Sequence, residues 1–278
     1  VNLGETDSPL PEALEMILLF ESEMEKHADL IRPVRSYADI EQNQADGVMS
    51  ALLTGEEGEI TMGNPDFLYF LYKLGMRMMT LTWNYENSLG FPNVRLDKKS
   101  SASSDRYCLS QNKGLKEQGI VFLEEMERLG MIIDVSHLSD AGFYDVLEHT
   151  TKPFVASHSN ARSVCPAVRN LTDDMVRRLA ERGGITGINF CKEFLGKPDI
   201  SQNYLDQAVV HMKYLMNLGG EDFVALGSDF DGITRYHDLS DCSVMPKLVH
   251  TMKKAGLTPT QIEKICYKNT LRVYRELL

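Results

Sequence analysis

Two short apolar segments of the chain each end in the dipeptide Ser-His, and these two histidines are the side chains best placed for chemistry. The first segment, 131–136, is followed by His137, and the second, 153–157, is followed by His158. Each segment is rich in Val, Ile or Phe and has the length of a buried β-strand. An imidazole at such a strand end either makes a structural hydrogen bond or ligates a metal ion.

A helix is predicted between these two strands, over residues 139–152, with Ser139 or Asp140 as its N-cap. A strand–helix–strand unit predicts that the two strands are parallel neighbours, with both histidines at the same end of the sheet. Parallel α/β proteins carry their functional residues at this end, so the two imidazoles are expected beside a functional site.

Strand and helix patterns alternate along the rest of the chain after a first predicted helix at 11–29. The strand candidates are 48–53, 78–82, 131–136, 153–157, 185–190 and 223–227. Further helices are predicted at 65–75, 114–129, 172–182 and 203–218, and a last one begins at Thr258-Pro259. This alternation predicts a parallel sheet, open or closed into a barrel. Because no glycine-rich nucleotide-binding motif follows an early strand, a TIM-type (β/α)8 barrel with about six of its strands present is favoured.

Composition excludes several classes of partner. The 278 residues carry 29 basic and 40 acidic side chains, a net charge of −11, which argues against nucleic acid and anionic membranes. No run of apolar residues is long enough to span a membrane, and the first residues lack the pattern of a signal peptide. The five cysteines include no C-x-x-C pair, which favours reduced thiols and a cytoplasmic protein.

Polar side chains follow the predicted strands at their carboxyl ends. In chain order they are Glu56, Glu57, Trp83, Asn84, His137, His158, Asn189, Asp229 and Asp231. In a barrel these residues would face one bowl. Two imidazoles with carboxylates suit Zn²⁺, which would lower the pKa of a bound water and polarise a carbonyl, as amide hydrolysis requires.

Each of these carboxylates also has a structural interpretation. Asp229 and Asp231 could cap a turn, and Asp229 is preferred for the bowl because it lies nearer its strand. Glu56 and Glu57 could be a solvated loop pair.

Arg169 could be a surface residue, or its guanidinium could hold a substrate carboxylate with two hydrogen bonds.

The other five histidines are interpreted as surface residues. They are His27, His149, His211, His237 and His250. His27-Ala28-Asp29 has the spacing of a metal-binding His-x-Asp pair, but it lies in the first predicted helix and is not assigned to a metal.

Four stretches together resemble the zinc-dependent membrane (renal) dipeptidase family, including its bacterial cytosolic branch. They are 128–139, 157–165, 169–174 and 227–232, and the resemblance extends over nearly the whole chain from about residue 13. It implies a (β/α)8 barrel with two zinc ions and cleavage of dipeptides. A homodimer is a further expectation.

The resemblance also implies roles for particular residues. Glu56 would bridge the metals, and His137 and His158 would complete the more exposed zinc site. Asp229 would act as acid and base, and Arg169 would hold the carboxylate of the substrate. Trp83 and Asn189 are assigned to substrate binding.

The chain departs from the family pattern at three places. Glu57 stands where the family usually has glycine, and Trp83 stands where some members have histidine. No strand-end His-x-Asp pair is present, so residues 1–278 are interpreted as a single barrel domain that is incomplete at its N-terminus, with two, one or no zinc ions. The alternative function is a truncated, inactive relative that binds peptides or metal or serves as an interaction surface.

Overall fold

The structure is a computed structural model that describes residues 8–96, 107–109, 113–200, 202–234, 236 and 238–278. The chain divides into two compact units: unit 1 comprises 1–152 and 274–278, and unit 2 comprises 153–273. The interpretation of 1–278 as a single barrel domain stays a prediction.

Unit 1 is built from parallel strands and the helices between them. Its elements are α1 Pro9–Lys26, β1 Ile31–Val34, α2 Tyr37–Asp46, β2 Met49–Leu52, β3 Thr54–Glu56, α3 Pro65–Lys73, β4 Met78–Thr80, β5 Val94–Leu96, β6 Tyr107–Leu109, α4 Glu117–Leu129, β7 Ile132–Asp134 and α5 Asp140–His149. Strand β4 pairs in parallel with β3 on one side and β7 on the other. Strands β1 and β2 form a second parallel pair, and β5 and β6 form an antiparallel hairpin.

Local sequence signals account for most of these elements. All three residues of β7 are buried, as expected for a strand that is covered on both faces. Helix α5 begins where the Ser139 hydroxyl accepts a hydrogen bond from the Gly142 amide. Helix α4 ends at Gly130, whose φ of +75° lies in the left-handed region that glycine adopts without a steric cost.

Unit 2 continues the alternation with three further parallel strands. Its elements are β8 Val155–Ala156, α6 Asp173–Glu181, β9 Ile185–Ile188, α7 Lys192–Leu195, α8 Tyr204–Gly219, β10 Val224–Leu226, α9 Met245–Lys254, α10 Pro259–Glu263 and α11 Asn269–Leu277, of which the residues from Tyr274 belong to unit 1. Strand β9 pairs in parallel with both β8 and β10. A π-helical turn, Lys264–Lys268, joins α10 to α11.

The structure adds strands to the six that the sequence pattern predicts. Strand β1 was not predicted, because Pro33 interrupts a segment of only four residues and proline normally argues against a strand. The predicted strand 48–53 corresponds to β2, so β3, which ends in Glu56, was not predicted, and neither was the β5–β6 hairpin. The first helix ends at Lys26 rather than at residue 29. Among the residues that the structure describes, no helix is both long and apolar enough to cross a membrane.

Candidate metal centre and active-site residues

Glu56 and His137 come together in unit 1 at the carboxyl ends of two parallel strands. Glu56 is the last residue of β3 and pairs in register with Thr80 of β4, which pairs in turn with Asp134 of β7. His137 follows three residues later, and its Nε2 lies 3.2 Å from Glu56 Oε1. The imidazole is 8% exposed and the carboxylate 46%, so this pair opens to solvent from the carboxylate side.

Asn84 orients the His137 ring. The Oδ1 of Asn84 lies 3.0 Å from Nδ1 of His137. An amide oxygen only accepts hydrogen bonds, so this contact places the ring proton on Nδ1 and turns Nε2 towards Glu56. A neutral imidazole nitrogen beside a carboxylate oxygen is a donor set that fits Zn²⁺. Hydrogen bonds of this kind from outside the ligand set fix the tautomer of metal-binding histidines.

Glu57 differs from Glu56 in being fully buried. Its Oε1 accepts hydrogen bonds from the Glu59 amide at 3.0 Å and from Asn87 Nδ2 at 2.5 Å, and its Oε2 accepts one from the Trp83 amide at 3.1 Å. Burial raises the pKa of the Glu57 carboxyl. The solvated-pair interpretation is therefore wrong for Glu57. Its φ of +101° is a conformation that costs a residue with a side chain about 1–3 kcal/mol.

Trp83 follows β4 and lies beside this pair. Its ring centroid is 6.3 Å from that of His137 and 5.7 Å from that of Tyr85, with tilted planes in both cases. The indole is partly exposed. A role of Trp83 in substrate binding stays a prediction.

His158 lies two residues beyond β8 in unit 2. Its Nδ1 is 2.7 Å from the Ser157 hydroxyl. Its backbone oxygen lies 3.4 Å from Arg169 Nη2 and 3.4 Å from Asn189 Nδ2, which both donate to it. The peptide that carries the imidazole is thus held by two side chains expected to bind substrate.

Arg169 is only 3% exposed, so the alternative of a surface arginine is wrong. Besides its bond to His158, its Nη1 donates to Ser159 Oγ at 3.5 Å, and its guanidinium carbon lies 5.3 Å from the centre of the Phe194 ring. The next residue, Asn170, holds the loop by donating to the backbone oxygens of Cys165 and Phe194, each at 2.9 Å.

Asn189 and Asp229 form a second polar pair in unit 2. Asn189 directly follows β9, is fully buried and donates from Nδ2 to Asp229 Oδ2 at 3.0 Å. Asp229 follows β10 in the left-handed conformation, with φ of +62°. Asp231 is exposed. This bond fixes the direction of the Asp229 carboxylate and favours Asp229 over Asp231 for a role in the site.

The surface interpretation is wrong for His211, which is fully buried in α8. Its Nδ1 accepts a hydrogen bond from the Ala161 amide at 3.2 Å, and its Nε2 lies 3.0 Å from the Leu195 oxygen. Burial lowers its pKa to about 4. Helix periodicity could have placed it inside, since it lies between the buried residues Ala208 and Leu215.

Of the other four histidines outside the site, three lie among the described residues. His149 and His250 are exposed, as expected, and His237 lies outside the described residues. His27 lies between α1 and β1 and is 3.5 Å from Glu23, so it is not at the carboxyl end of a strand.

Parallel strands alternating with helices define the class of protein as an α/β fold of the TIM-barrel type, with three strands of the main series in each unit. The profile described as "Membrane dipeptidase (Peptidase family M19)" matches residues 4–277. The chain belongs to this family, as the sequence motifs predicted.

Individual relatives agree with this assignment. The chain is 36% identical over 253 residues to a Klebsiella pneumoniae protein described as an uncharacterised protein in the pqqA 5′ region, with 90% of each chain covered. It is 36% identical over 207 residues to an uncharacterised dipeptidase of Schizosaccharomyces pombe; that match covers 74% of this chain and 47% of the relative. The chain thus spans about half the length of the yeast relative.

A solved structure shows the same fold. The metallopeptidase from Rhodobacter sphaeroides, liganded with a phosphinate mimic of the dipeptide L-Ala-D-Ala, superposes with a TM-score of 0.84 at 30% identity. The match covers 97% of this chain and 75% of that protein. The fold class predicted from the strand–helix alternation is confirmed.

Proposed function

We propose that this chain is a zinc-dependent dipeptidase that hydrolyses the amide bond of dipeptides. The observation that carries the proposal is the approach of His137 Nε2 to Glu56 Oε1 at 3.2 Å, with Nδ1 of the same ring held by Asn84. Membership of the membrane dipeptidase family supports the reaction class. The dipeptide mimic in the Rhodobacter sphaeroides relative supports the substrate class.

The proposed zinc ligands are Glu56, His137 and His158, as the resemblance to the family motifs implies. The support for His158 is its place directly beyond a parallel strand and its resemblance to the family motif. Because Ser157 engages Nδ1 of this ring, Nε2 is the nitrogen assigned to the metal. These three residues would hold one zinc ion per chain, with two imidazole nitrogens and a carboxylate oxygen as ligands.

Zinc held by these residues would supply Lewis acidity towards the scissile carbonyl and would lower the pKa of the attacking water. Asp229 would accept a proton from the attacking water and later deliver it to the leaving amine. Asn189 keeps the Asp229 carboxylate pointing in one direction for both transfers. Arg169 binds the C-terminal carboxylate of the dipeptide, and Trp83 and Asn189 line the substrate pocket.

Zinc titration and dipeptide hydrolysis test the proposal. The purified chain is titrated with Zn²⁺ by calorimetry and assayed with L-Ala-D-Ala and L-Ala-L-Ala. We expect about one zinc per chain and zinc-dependent release of alanine. The His158→Ala variant should lose both, whereas the control His149→Ala, which changes an exposed histidine at the end of α5, should lose neither.

Two results would contradict the proposal. Absence of zinc binding together with absence of hydrolysis would refute it. Zinc binding without hydrolysis of either dipeptide, or of a longer panel with free C-termini, would instead identify an inactive relative that retains a metal site.

We also propose a cytoplasmic location and a homodimer. Support for the location comes from the thiols Cys165, Cys191, Cys242 and Cys266, which are all free, as in a reducing compartment. Light scattering on the purified chain measures the oligomeric state, and a monomer at micromolar concentration would contradict the dimer.

A further inference from the structure

The carboxylate of Glu57 joins the segments that follow two neighbouring strands. Glu57 lies directly after β3, whereas two of its three donors, the Trp83 amide and Asn87 Nδ2, lie in the segment that follows β4. The third donor, the Glu59 amide, belongs to the 3-10 turn that Glu57 caps. The side chain is fully buried and both of its oxygens accept hydrogen bonds.

Asn87 extends this connection through the segment after β4. Its Nδ2 also donates to the Leu81 oxygen at 2.8 Å. Its Oδ1 accepts hydrogen bonds from the Leu89 and Gly90 amides at 2.8 and 2.9 Å. The position of residues 81–90 relative to β3 is therefore set by hydrogen bonds that meet at Glu57 and Asn87.

Asn84 lies within this segment, next to the residue whose amide Glu57 holds. The same Asn84 fixes the Nδ1 of His137 at 3.0 Å. A chain of contacts thus runs from the Glu57 carboxylate through the Trp83 amide to Asn84 and on to the imidazole ring. Every member of this chain lies in unit 1.

We propose that Glu57 is a positioning residue: its carboxylate fixes the Thr82–Trp83 peptide, which precedes Asn84, and thereby holds the His137 imidazole in the orientation that faces Glu56. For its metal-binding consequence the proposal rests on the proposed function. It assigns a role to the carboxylate that stands where the family usually has glycine.

Glycine at position 57 could adopt the backbone conformation but could not accept the hydrogen bonds that the Glu57 carboxylate receives. A φ of +101° is easily adopted by glycine, so a side chain is retained here in spite of its conformation. Without the carboxylate, the Trp83 amide and the Asn87 amide group would lose an acceptor in buried surroundings, where an unsatisfied donor is costly. Because both of its carboxylate oxygens already accept hydrogen bonds inside the protein, Glu57 positions the segment after β4 and does not compete as a zinc ligand.

The experiment compares wild type with Glu57→Gly, Glu57→Gln and the control Glu127→Gln. The control changes another carboxylate of unit 1 that accepts two backbone hydrogen bonds, from Thr151 and Lys152, outside this segment. Trp83 is the only tryptophan of the chain, so its emission reports on this segment alone. Hydrogen exchange at the Trp83 amide reports directly on its bond to Glu57.

In metal-free protein we expect Glu57→Gly to speed exchange of the Trp83 amide at least tenfold and to shift the Trp83 emission to longer wavelength. Glu57→Gln keeps one acceptor oxygen and presents a donor in place of the other, so it should fall between glycine and wild type. Glu127→Gln should match wild type. Unchanged exchange in the folded Glu57→Gly protein would overturn the proposal.

Zinc affinity, measured by competition with a chromophoric chelator, tests the link to His137. We expect Glu57→Gly to bind zinc at least tenfold more weakly than wild type, with Glu127→Gln unchanged. Faster Trp83 exchange with unchanged zinc affinity would overturn the positioning role. If wild type itself binds no zinc, the proposed function fails, and the role of Glu57 is then judged on exchange and emission alone.

Discussion

Replacing Arg169 by methionine should weaken substrate binding far more than it weakens the fold. In the proposed complex the guanidinium makes charge-assisted hydrogen bonds to the substrate carboxylate, and a hydrogen bond to a charged group contributes about 1.5–3 kcal/mol. Because 1.4 kcal/mol corresponds to a factor of ten, the loss predicts a KM that is about 10- to 150-fold higher. The kcat should change much less, because the carboxylate lies outside the bond that breaks.

The same substitution should reduce the stability of the fold only slightly, because the main acceptor of Arg169 has a second donor. Arg169 donates to the His158 oxygen, but Asn189 donates to that oxygen as well, at the same 3.4 Å. The oxygen therefore keeps a partner when the arginine is removed, and the loss of this one hydrogen bond should cost only about 1 kcal/mol of stability. Methionine also retains a flexible apolar side chain that can pack against Phe194.

Steady-state kinetics on a dipeptide with a free C-terminus and on its C-terminal amide provide the assay. Wild type should strongly prefer the free acid, and Arg169→Met should lose most of this preference. Arg272→Met is the control, since Arg272 is another arginine of unit 2 that makes two hydrogen bonds; it donates to the backbone oxygens of Gly183 and Asp222, which precede β9 and β10. An unchanged KM in Arg169→Met would refute the carboxylate-binding role, as would an equal rise in the control.

Three further substitutions have separate expected outcomes. Asn84→Ala removes the acceptor of the His137 ring proton, so zinc affinity should fall about 10- to 100-fold in a chelator competition, and an unchanged affinity would contradict the orienting role. Asp229→Asn should lower kcat about 10²- to 10⁴-fold with little change in zinc affinity; kcat close to wild type would exclude Asp229 as the acid and base. Burial lowers the pKa of His211 to about 4 from 6.5, so the unfolded chain binds a proton at this residue at a higher pH than the folded chain does. The stability that neutral His211 contributes is therefore complete above pH 6.5 and is lost as the pH falls to 4, by about 3 kcal/mol in all. Urea unfolding between pH 7 and 4.5 should therefore show a smaller loss for His211→Gln than for wild type, and equal losses would contradict this assignment.

The sequence alone was sufficient for five of the six main strands, all but β3, and for most helices and the family. These features depend on patterns within a few residues, such as the apolar segments before His137 and His158. Of the two N-cap candidates Ser139 and Asp140, the structure has Ser139, whose hydroxyl accepts from an amide only three residues away. The preference for Asp229 over Asp231 rests on distance along the strand and stays a prediction.

Only the tertiary structure showed what each of the other site side chains contacts. Glu56 and Glu57 are chemically identical neighbours, yet one faces solvent beside His137 and the other is fully buried. The amide that Glu57 binds is 26 residues away, and His137 is 53 residues from Asn84. His211 likewise binds an amide 50 residues away. Such contacts depend on which segments become neighbours when the sheet forms, and a local pattern of residues carries no information about a partner at that separation.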